Sequence, residues 1–480
     1  MGLVYVYTQG QSRSSYDRMV ALRSSQEVYV SVSLRPSGQR ATTRWRFAVS
    51  IASVSGLLLA AGCGAGSDVG GSQTKIACDI TQPANQTTVN ILAYNSAATD
   101  PFTNALTANC KSDKLTINHP ATDLSGQKQR AVQSLSGSTA SYDLIEEFGT
   151  VYPLYADRGW TVPLDDFISK NTDKYSISSI DPQLLSALKY NGHQFGLPTY
   201  WSVQHLVYRK DIFDKLGLKP PTTFDELRTV AKKIQDSGDV KFPLAVPMAP
   251  ANDIQGLFGQ ALRSLGGDYF VPGQPVPALN GPTGVKAVEA VQSLLPFMSP
   301  QVLSFSSPEV TTQLQTGQAA MGLLVTGRLG PLVDPTKSPN AKDFAFAAPP
   351  SIAAGGQPLS FLSVDGFGVA KNSAVDQTLL SQLVAVATGP EAAKAALPNA
   401  LPARLDLLKG TTVPFAASAQ DILKSASPKP LDQVPYMADV YSVIGAPIGD
   451  AISGKKPVQA ALDEAQAAAT SAIAKSGYAK

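Results

Sequence analysis

The sequence predicts an α/β protein of two units, and three observations carry that expectation. From residue 88 onward, β-branched apolar runs alternate with capped, amphipathic stretches. At 480 residues the chain exceeds one ordinary domain and is long enough for two substantial cores. No fixed-period repeat runs through it, which argues against a solenoid or propeller.

Taken in order, TVNILAY (88–94) reads as a strand and is followed by a helical stretch through PFTNALTANC. KLTINHP (114–120) is a second strand, QKQRAVQSLSG (127–137) a helix capped by Gly137, and SYDLIEEF (141–148) a third strand. That β-α-β-α-β order implies a mainly parallel sheet, and ligands collect at the carboxyl ends of such strands. The residues there are Tyr94 and Asn95, His119, and Glu146, Glu147 and Phe148. YPLYADRGWTVPLDDFI (152–168) reads as helix, turn and extended piece, and YNGHQFGLP (190–198) as a hairpin arm with an Asn-Gly turn. PPTTFDELRTVAKKIQDSG (220–238) opens a helix, with Thr as N-cap and Asp225 and Glu226 in its first turn. LAVPM (244–248) is a buried strand, and 253–267 and 282–297 are helices. Residues 305–327 run from helix to strand, LSVDGFGVAKNS (362–373) is a strand, and the last hundred residues are mostly helical.

The ends of the chain behave differently from this body. The first 62 residues hold seven Arg, no Lys and two acids, so a formal net charge of +2 conceals a body near −3. Without a basic face, nucleic-acid binding is excluded. Residues 1–39 read as a start-site extension or disordered leader, and 40–62 as a signal peptide with Arg40, Arg44 and Arg46 ahead of the apolar run 47–61. That run is short for a bilayer of roughly 30 Å. It ends in LLLAAGC, resembling a bacterial lipobox in which Cys63 takes the lipid; a short transmembrane anchor is the alternative. Residues 63–86 are expected to form a lipidated flexible tether. Export leaves Cys78 and Cys110 as an even pair, disulfide-bonded or as two free thiols, and no third cysteine remains for a thiolate metal site.

Several catalytic patterns fail on inspection. GDAISGKK (449–456) fits a phosphate-binding loop but ends in Lys456 where a hydroxyl must meet magnesium, and it follows a helix. His119, His193 and His205 have no metal-ligand spacing, so neither a metal nor a cofactor is expected. Glu146 and Glu147 are adjacent on a strand and face opposite ways, so they cannot flank one glycosidic bond. The chain is read as a non-enzyme, with a secreted carbohydrate hydrolase as the alternative.

The stretch YNGHQFGLPTYWSVQHLVYRKDIFDKLGLKPPTTFDELRTVAKKI (190–234) resembles the extracellular solute-binding proteins of ABC importers, in their maltose/maltodextrin-binding branch. The likeness continues in YDLIEEF, TGQAAMGLLVTGR, VDGFGVAKNS, ALPAR and the segment from VPYMADVY onward, in the family's order across most of 87–475. It implies a two-lobed type II binding-protein fold, with lobe 1 at 87–199 and 351–402, lobe 2 at 203–350 and 403–475, and a tail at 476–480. A hinge would close the lobes on a ligand. The resemblance also implies a lipid-anchored monomer on the extracytoplasmic face, receiving a carbohydrate and serving permease subunits with a separate ATPase.

Site residues follow from the same resemblance, position by position. Tyr200, Trp201 and Ser202 would form the hinge floor, with at least one ring partly exposed as a platform for sugar. Asn95, Gln127 and Glu147 would line lobe 1. Asn252, Arg328 and Tyr441 would line lobe 2, and Asp365 and Gly366 stand where many relatives have two glycines. Glu147 and the Thr326–Arg328 segment replace aromatics common in relatives, which suggests a small or an amino or acidic sugar. A polyol phosphate, peptide or metal chelate is the alternative ligand, and Arg328 with Arg404 in one cleft would favour the phosphate.

Overall fold

The computed structural model describes residues 75–251, 253–397, 399–425 and 433–478. The apolar run 47–61, Cys63 and Asn252 therefore lie outside the described residues. No described helix is long and apolar enough to cross a membrane.

The strands, in chain order, are β1 (Thr87–Leu92), β2 (Leu115–Asn118), β3 (Leu144–Phe148), β4 (Lys189–Tyr190), β5 (His193–Gln194), β6 (Gly196–Ser202) and β7 (Gln204–Arg209). After them come β8 (Leu244–Ala245), β9 (Met321–Val325), β10 (Phe344–Ala347), β11 (Ser363–Val369) and β12 (Leu401–Pro402). One six-stranded sheet has the order β12-β6-β11-β3-β1-β2, a four-stranded sheet the order β10-β7-β9-β8, and β4 pairs with β5 alone. The expected mainly parallel sheet is in fact mixed. β1 pairs parallel with β2 and β3, but β11 enters antiparallel between β3 and β6. A strand recruited from more than 160 residues downstream of β6 leaves no local signal of its direction.

Local chemistry sets the element ends where the sequence is explicit. The hairpin turns at Asn191 and Gly192, both at positive φ (48° and 86°), as a tight Asn-Gly turn requires. Thr223 caps the helix Phe224–Ser237 by accepting from Glu226 N, and Gly238 closes it at φ 79°. The helix expected at 127–137 is Leu124–Leu135, because Asp123 caps it earlier by accepting from Gly126 N. The stretch expected to end extended before 168 forms a helix, Asp165–Asn171. At GDAISGKK the helix Met437–Ile452 gives way to Gly454 in the left-handed region.

A single residue links the two sheets directly. β6 ends at Ser202 and β7 begins at Gln204, so Val203 alone carries the chain from one to the other. Val203 N donates to Thr326 Oγ1 (3.0 Å), Thr326 N returns a bond to Val203 O (2.9 Å), and His205 Nε2 lies 3.0 Å from the same hydroxyl. Gln204 N donates to Ser360 Oγ, which brings the chain returning to β11 onto the same spot.

Residues 75–86, expected as flexible tether, instead lie against the body. Cys78 is disulfide-bonded to Cys110, with Cα atoms 5.2 Å apart. Ile76 N donates to Asn109 Oδ1 and Thr81 N to Gln382 Oε1, while Lys174 pairs with Asp79. Backbone groups satisfied by side chains hold this segment without any strand pairing.

Candidate ligand-binding cleft

The strand directions gather one edge. β1, β3 and β6 run the same way, so their carboxyl ends lie together with the amino end of β11. Register then decides which side chains share a face. Asp365 lies opposite Tyr200 on one side and Phe148 on the other, so these three project together, and Glu146, two residues before Phe148, joins them. Trp201 and Glu147 project from the opposite face.

On the first face a polar cluster forms. Tyr94, just beyond β1, places its hydroxyl 2.9 Å from the Tyr200 hydroxyl and 3.5 Å from Asp365 Oδ2. Tyr200 OH is also 3.3 Å from Thr99 Oγ1, and its ring stacks on Phe102. Glu146 accepts from Tyr94 N (3.0 Å) and the Thr99 hydroxyl (3.0 Å) and is almost wholly enclosed. Both its oxygens thus accept from donors inside the fold. Burial first, and the neighbouring Asp365 second, push its carboxyl well above the ordinary range. Asp365 also accepts from the Ser363 hydroxyl, and burial raises its carboxyl to about 6.

Groups from beyond the second sheet face this cluster. Arg328, three residues past β9, sits with its guanidinium carbon 6.0 Å from the centre of the Tyr94 ring. Asp253, at the start of the helix Ile254–Ser264, is raised to about 6, chiefly by burial, against the opposing pull of Arg328 and Lys128. Lys128 Nζ lies 5.6 Å from the Phe148 ring centre, and Phe148 packs edge-on against Tyr94 at 6.4 Å. Burial lowers the Lys128 ammonium below its usual range, with Asp253 opposing.

The residues expected at the site divide into groups. Tyr200, Asp365 and Arg328 come together around Tyr94. Ser202 lies beside them, its hydroxyl accepting from Gly327 N (3.2 Å). Gln127 is wholly buried behind β3, donating to Glu146 O. Asn95 is engaged within lobe-1 loops, accepting from Thr122 N and donating to Asp100. Tyr441 pairs its hydroxyl with that of Tyr269 (3.0 Å), and its carbonyl accepts from Gln255.

Four expectations need correction. Neither hinge-floor ring is partly exposed, since Tyr200 is 2% and Trp201 0% exposed. Glu147 is buried on the far face, its oxygens lodged where Cβ atoms on Gly196 and Gly368 would stand, and neither oxygen meets a donor with hydrogen-bond geometry. Gly366 serves close strand approach, because a Cβ there would fall 2.4 Å from Leu197 O. Arg404 does not reach the cluster: it is buried, donating to the carbonyls of Thr388, Tyr175 and Ser176 and to the Ser179 hydroxyl. Tyr94 and Phe148 were visible in the sequence as strand-end residues but not singled out, Glu146 was weighed only as half of a carboxylate pair with Glu147, and Thr99, Lys128 and Asp253 had no signal there.

Two surface hollows, of about 270 and 730 Å³, lie elsewhere, the first beside Arg209 and Lys215 and the second between Thr81–Thr88 and the start of the helix Gln377–Ala387.

Comparison with known proteins follows this geometry. The family model for bacterial extracellular solute-binding proteins matches residues 96–394. A probable amino-acid ABC transporter periplasmic-binding protein of Sinorhizobium fredii is 26% identical over 226 residues, 44% of this chain and 50% of its own. A maltotriose-binding protein of Pyrococcus abyssi is 28% identical over 148 residues, 30% of each chain. The match thus spans between about a third and a half of these relatives. Among solved structures, a maltose-bound T. maritima protein superposes with TM-score 0.71 at 17% identity, covering 80% of this chain and 98% of its own. A D-mannitol-bound solute-binding protein of Agrobacterium vitis gives 0.70 at 23% identity, covering 82% and 100%. These establish the two-lobed type II fold, and with the family match across most of the body, the chain belongs to the bacterial extracellular solute-binding proteins.

Proposed function

We propose that this chain receives a carbohydrate or polyol outside the cytoplasm and presents it to the membrane subunits of an ABC importer, closing two lobes over it about Val203. The lobes are residues 87–199 with 351–402, and 203–350 with 403–475. The observation that carries this reading is the meeting of Arg328, from beyond the second sheet, with the Tyr94–Tyr200–Asp365 cluster of the first. Planar charged groups, hydroxyls and ring faces at a hinge suit a molecule with hydroxyls on its rim and C–H groups on its faces. The proteins of similar fold include ones solved with maltose, ribitol, D-mannitol and tagatose. Ligand would act by binding the closed arrangement better than the open one.

Calorimetry of residues 64–480 against mono- and disaccharides and polyols tests this. Saturable binding of at least one is expected, and failure of the folded protein to bind any overturns the reading. Lipid attachment at Cys63, with the mature chain as a membrane-held monomer, belongs to the same proposal. Cys63→Ala should release the protein to the medium or stall processing. Unchanged mass and membrane fractionation would count against the anchor.

A further inference from the structure

We infer that the C-terminal turn Ser476–Tyr478 is a clasp between the lobes, holding them in the arrangement in which Arg328 meets Tyr94, with Tyr478 and Arg158 as its positioning residues. This goes beyond the carbohydrate reading above and rests only on the two lobes that reading uses.

The turn follows from how the last helix stops. Beyond Val458–Lys475, Gly477 takes a φ of 84° in the left-handed region and the chain folds back on itself. Gly477 N donates to Ala474 O (3.1 Å) and Tyr478 N to Ile473 O (3.2 Å). These are the two bonds of a Schellman stop, which fixes the residue after the glycine. The helix itself is fastened to the second lobe. Gln466 accepts from Leu279 N and donates to Pro277 O, and Asp463 accepts from Asn280 Nδ2. Ser476 Oγ donates to Asp439, near the start of the helix Met437–Ile452, and the Tyr478 ring lies 5.6 Å from that of Tyr436.

From this mounting the turn reaches into the first lobe. Tyr478 OH donates to Asp157 Oδ2, at the end of the helix Tyr152–Asp157, and Tyr190 OH from β4 donates to Oδ1 of the same carboxylate (2.8 Å). Arg158 Nη2 donates to Ser476 O (2.8 Å), and its guanidinium carbon stands 5.6 Å from the centre of the Tyr478 ring. One more bond crosses between the lobes, from Gln433 Nε2 to Ala187 O (2.9 Å).

The environment of these contacts decides what they can do. Asp157 and Arg158 are exposed, and Tyr190 and Tyr478 half-buried. Water replaces a broken bond between such groups at little cost, so the clasp can open, whereas a buried joint would weld the lobes. The bonds are nonetheless charge-assisted, each using the Asp157 carboxylate or the Arg158 guanidinium, and so outweigh neutral surface contacts. A joint of this kind biases an equilibrium without freezing it. The clasp and the meeting of Arg328 with Tyr94 occur in one arrangement of the lobes. Losing the clasp lowers the population of that arrangement, and a ligand that needs it binds more weakly in proportion.

The test compares unliganded wild type with three variants by small-angle scattering and melting. Truncation after Lys475 removes the whole turn, Arg158→Ala removes the guanidinium contacts, and Tyr478→Phe removes the bond to Asp157 alone. The truncated chain and Arg158→Ala should both scatter as larger particles than wild type, and Tyr478→Phe as an intermediate one, with melting temperatures little changed. Maltose and mannitol serve as calorimetric probes, and whichever binds should do so about tenfold more weakly to the truncated chain, equivalent to roughly 1.4 kcal/mol. Scattering curves of the truncated chain and of Arg158→Ala that superpose on the wild type overturn the clasp, whatever binds. Expansion on truncation supports the clasp even where neither probe binds the wild type, a failure that counts against the carbohydrate reading instead. Should truncation prevent folding, Arg158→Ala decides alone.

Discussion

Glu146 and Glu147 are neighbours in sequence with opposite surroundings, and both hold their protons more tightly than free carboxyls do. For Glu147 burial is the main cause, the Thr161 hydroxyl being the one group that opposes it. A carboxyl whose folded pKa lies above its unfolded value of about 4.3 binds more protons in the native state. Its contribution is fully favourable below that value and is lost as pH rises toward the folded pKa. Asp365 and Asp253, both near 6, act in the same sense. Carboxylates such as Asp211 and Asp239, held low by Arg209 and Lys215, act oppositely, losing their contribution only in stronger acid. Stability should therefore fall from about pH 5 to pH 8, and Glu147→Gln should flatten that fall and exceed the wild type at pH 8. Denaturant unfolding across this range checks it, and an unchanged slope in the variant would refute the role given to Glu147. Tyr200 and Trp201 form a second contrasting pair. Tyr200→Phe removes a hydroxyl from the cluster and should weaken ligand binding with little loss of stability. Trp201→Ala opens a wholly enclosed site and should cost about 3–5 kcal/mol of stability, leaving the affinity of the surviving fold nearly unchanged. The reverse pattern in paired melting and binding measurements would put Trp201 in the cleft.

Among the elements, those with end chemistry written in the chain were legible and those defined by distant pairing were not. Thr223 with Asp225 and Glu226 announced one helix, and Asn191-Gly192 announced the hairpin. β11 gave its apolar run but not its direction, since that depends on β3 and β6 far upstream. The same division explains the site. A strand-end argument reaches Tyr94, Glu146 and Phe148, and alternation already separated Glu146 from Glu147. Applied equally to Tyr200 and Trp201, it would have parted them too. Lys128 and Asp253 meet only through tertiary folding, and no spacing encodes that. The segment before β1 gives a further prediction at this scale. The Cys78–Cys110 bond spans a sequence separation of 32, and loop-closure entropy for that length corresponds to about 3–4 kcal/mol. Cys78→Ser with Cys110→Ser should lose roughly that much in denaturant unfolding. Hydrogen exchange should speed up first at Ile76 and Thr81, whose amides donate to Asn109 Oδ1 and Gln382 Oε1 on the body. No change in either measurement would show that the side-chain bonds alone hold the segment.

For the molecule as a whole, the arrangement of two sheets joined through Val203 makes Arg328 informative, because it acts away from its own sheet. His205 sits at that junction, and burial depresses its ring to about 3, so it adds no charge there near neutral pH. Arg328 instead bridges the units through the Tyr94 ring and the Asp365 charge, an interaction that opening of the lobes would break. If closure is the step that ligand stabilises, a ligand at a hundred times its Kd should raise unfolding stability by about 2.7 kcal/mol. Arg328→Ala should then weaken binding about ten- to a hundredfold, equivalent to roughly 1.4–2.7 kcal/mol. It should lower the melting temperature of the unliganded protein only slightly, because the side chain is half-buried and its removal opens no cavity in either core. Small-angle scattering separates closure from simple contact. The wild type should contract on adding ligand, and Arg328→Ala should reach the same contraction only at higher ligand concentration. A variant that binds as tightly as wild type would show that the bridge between the sheets plays no part in closure.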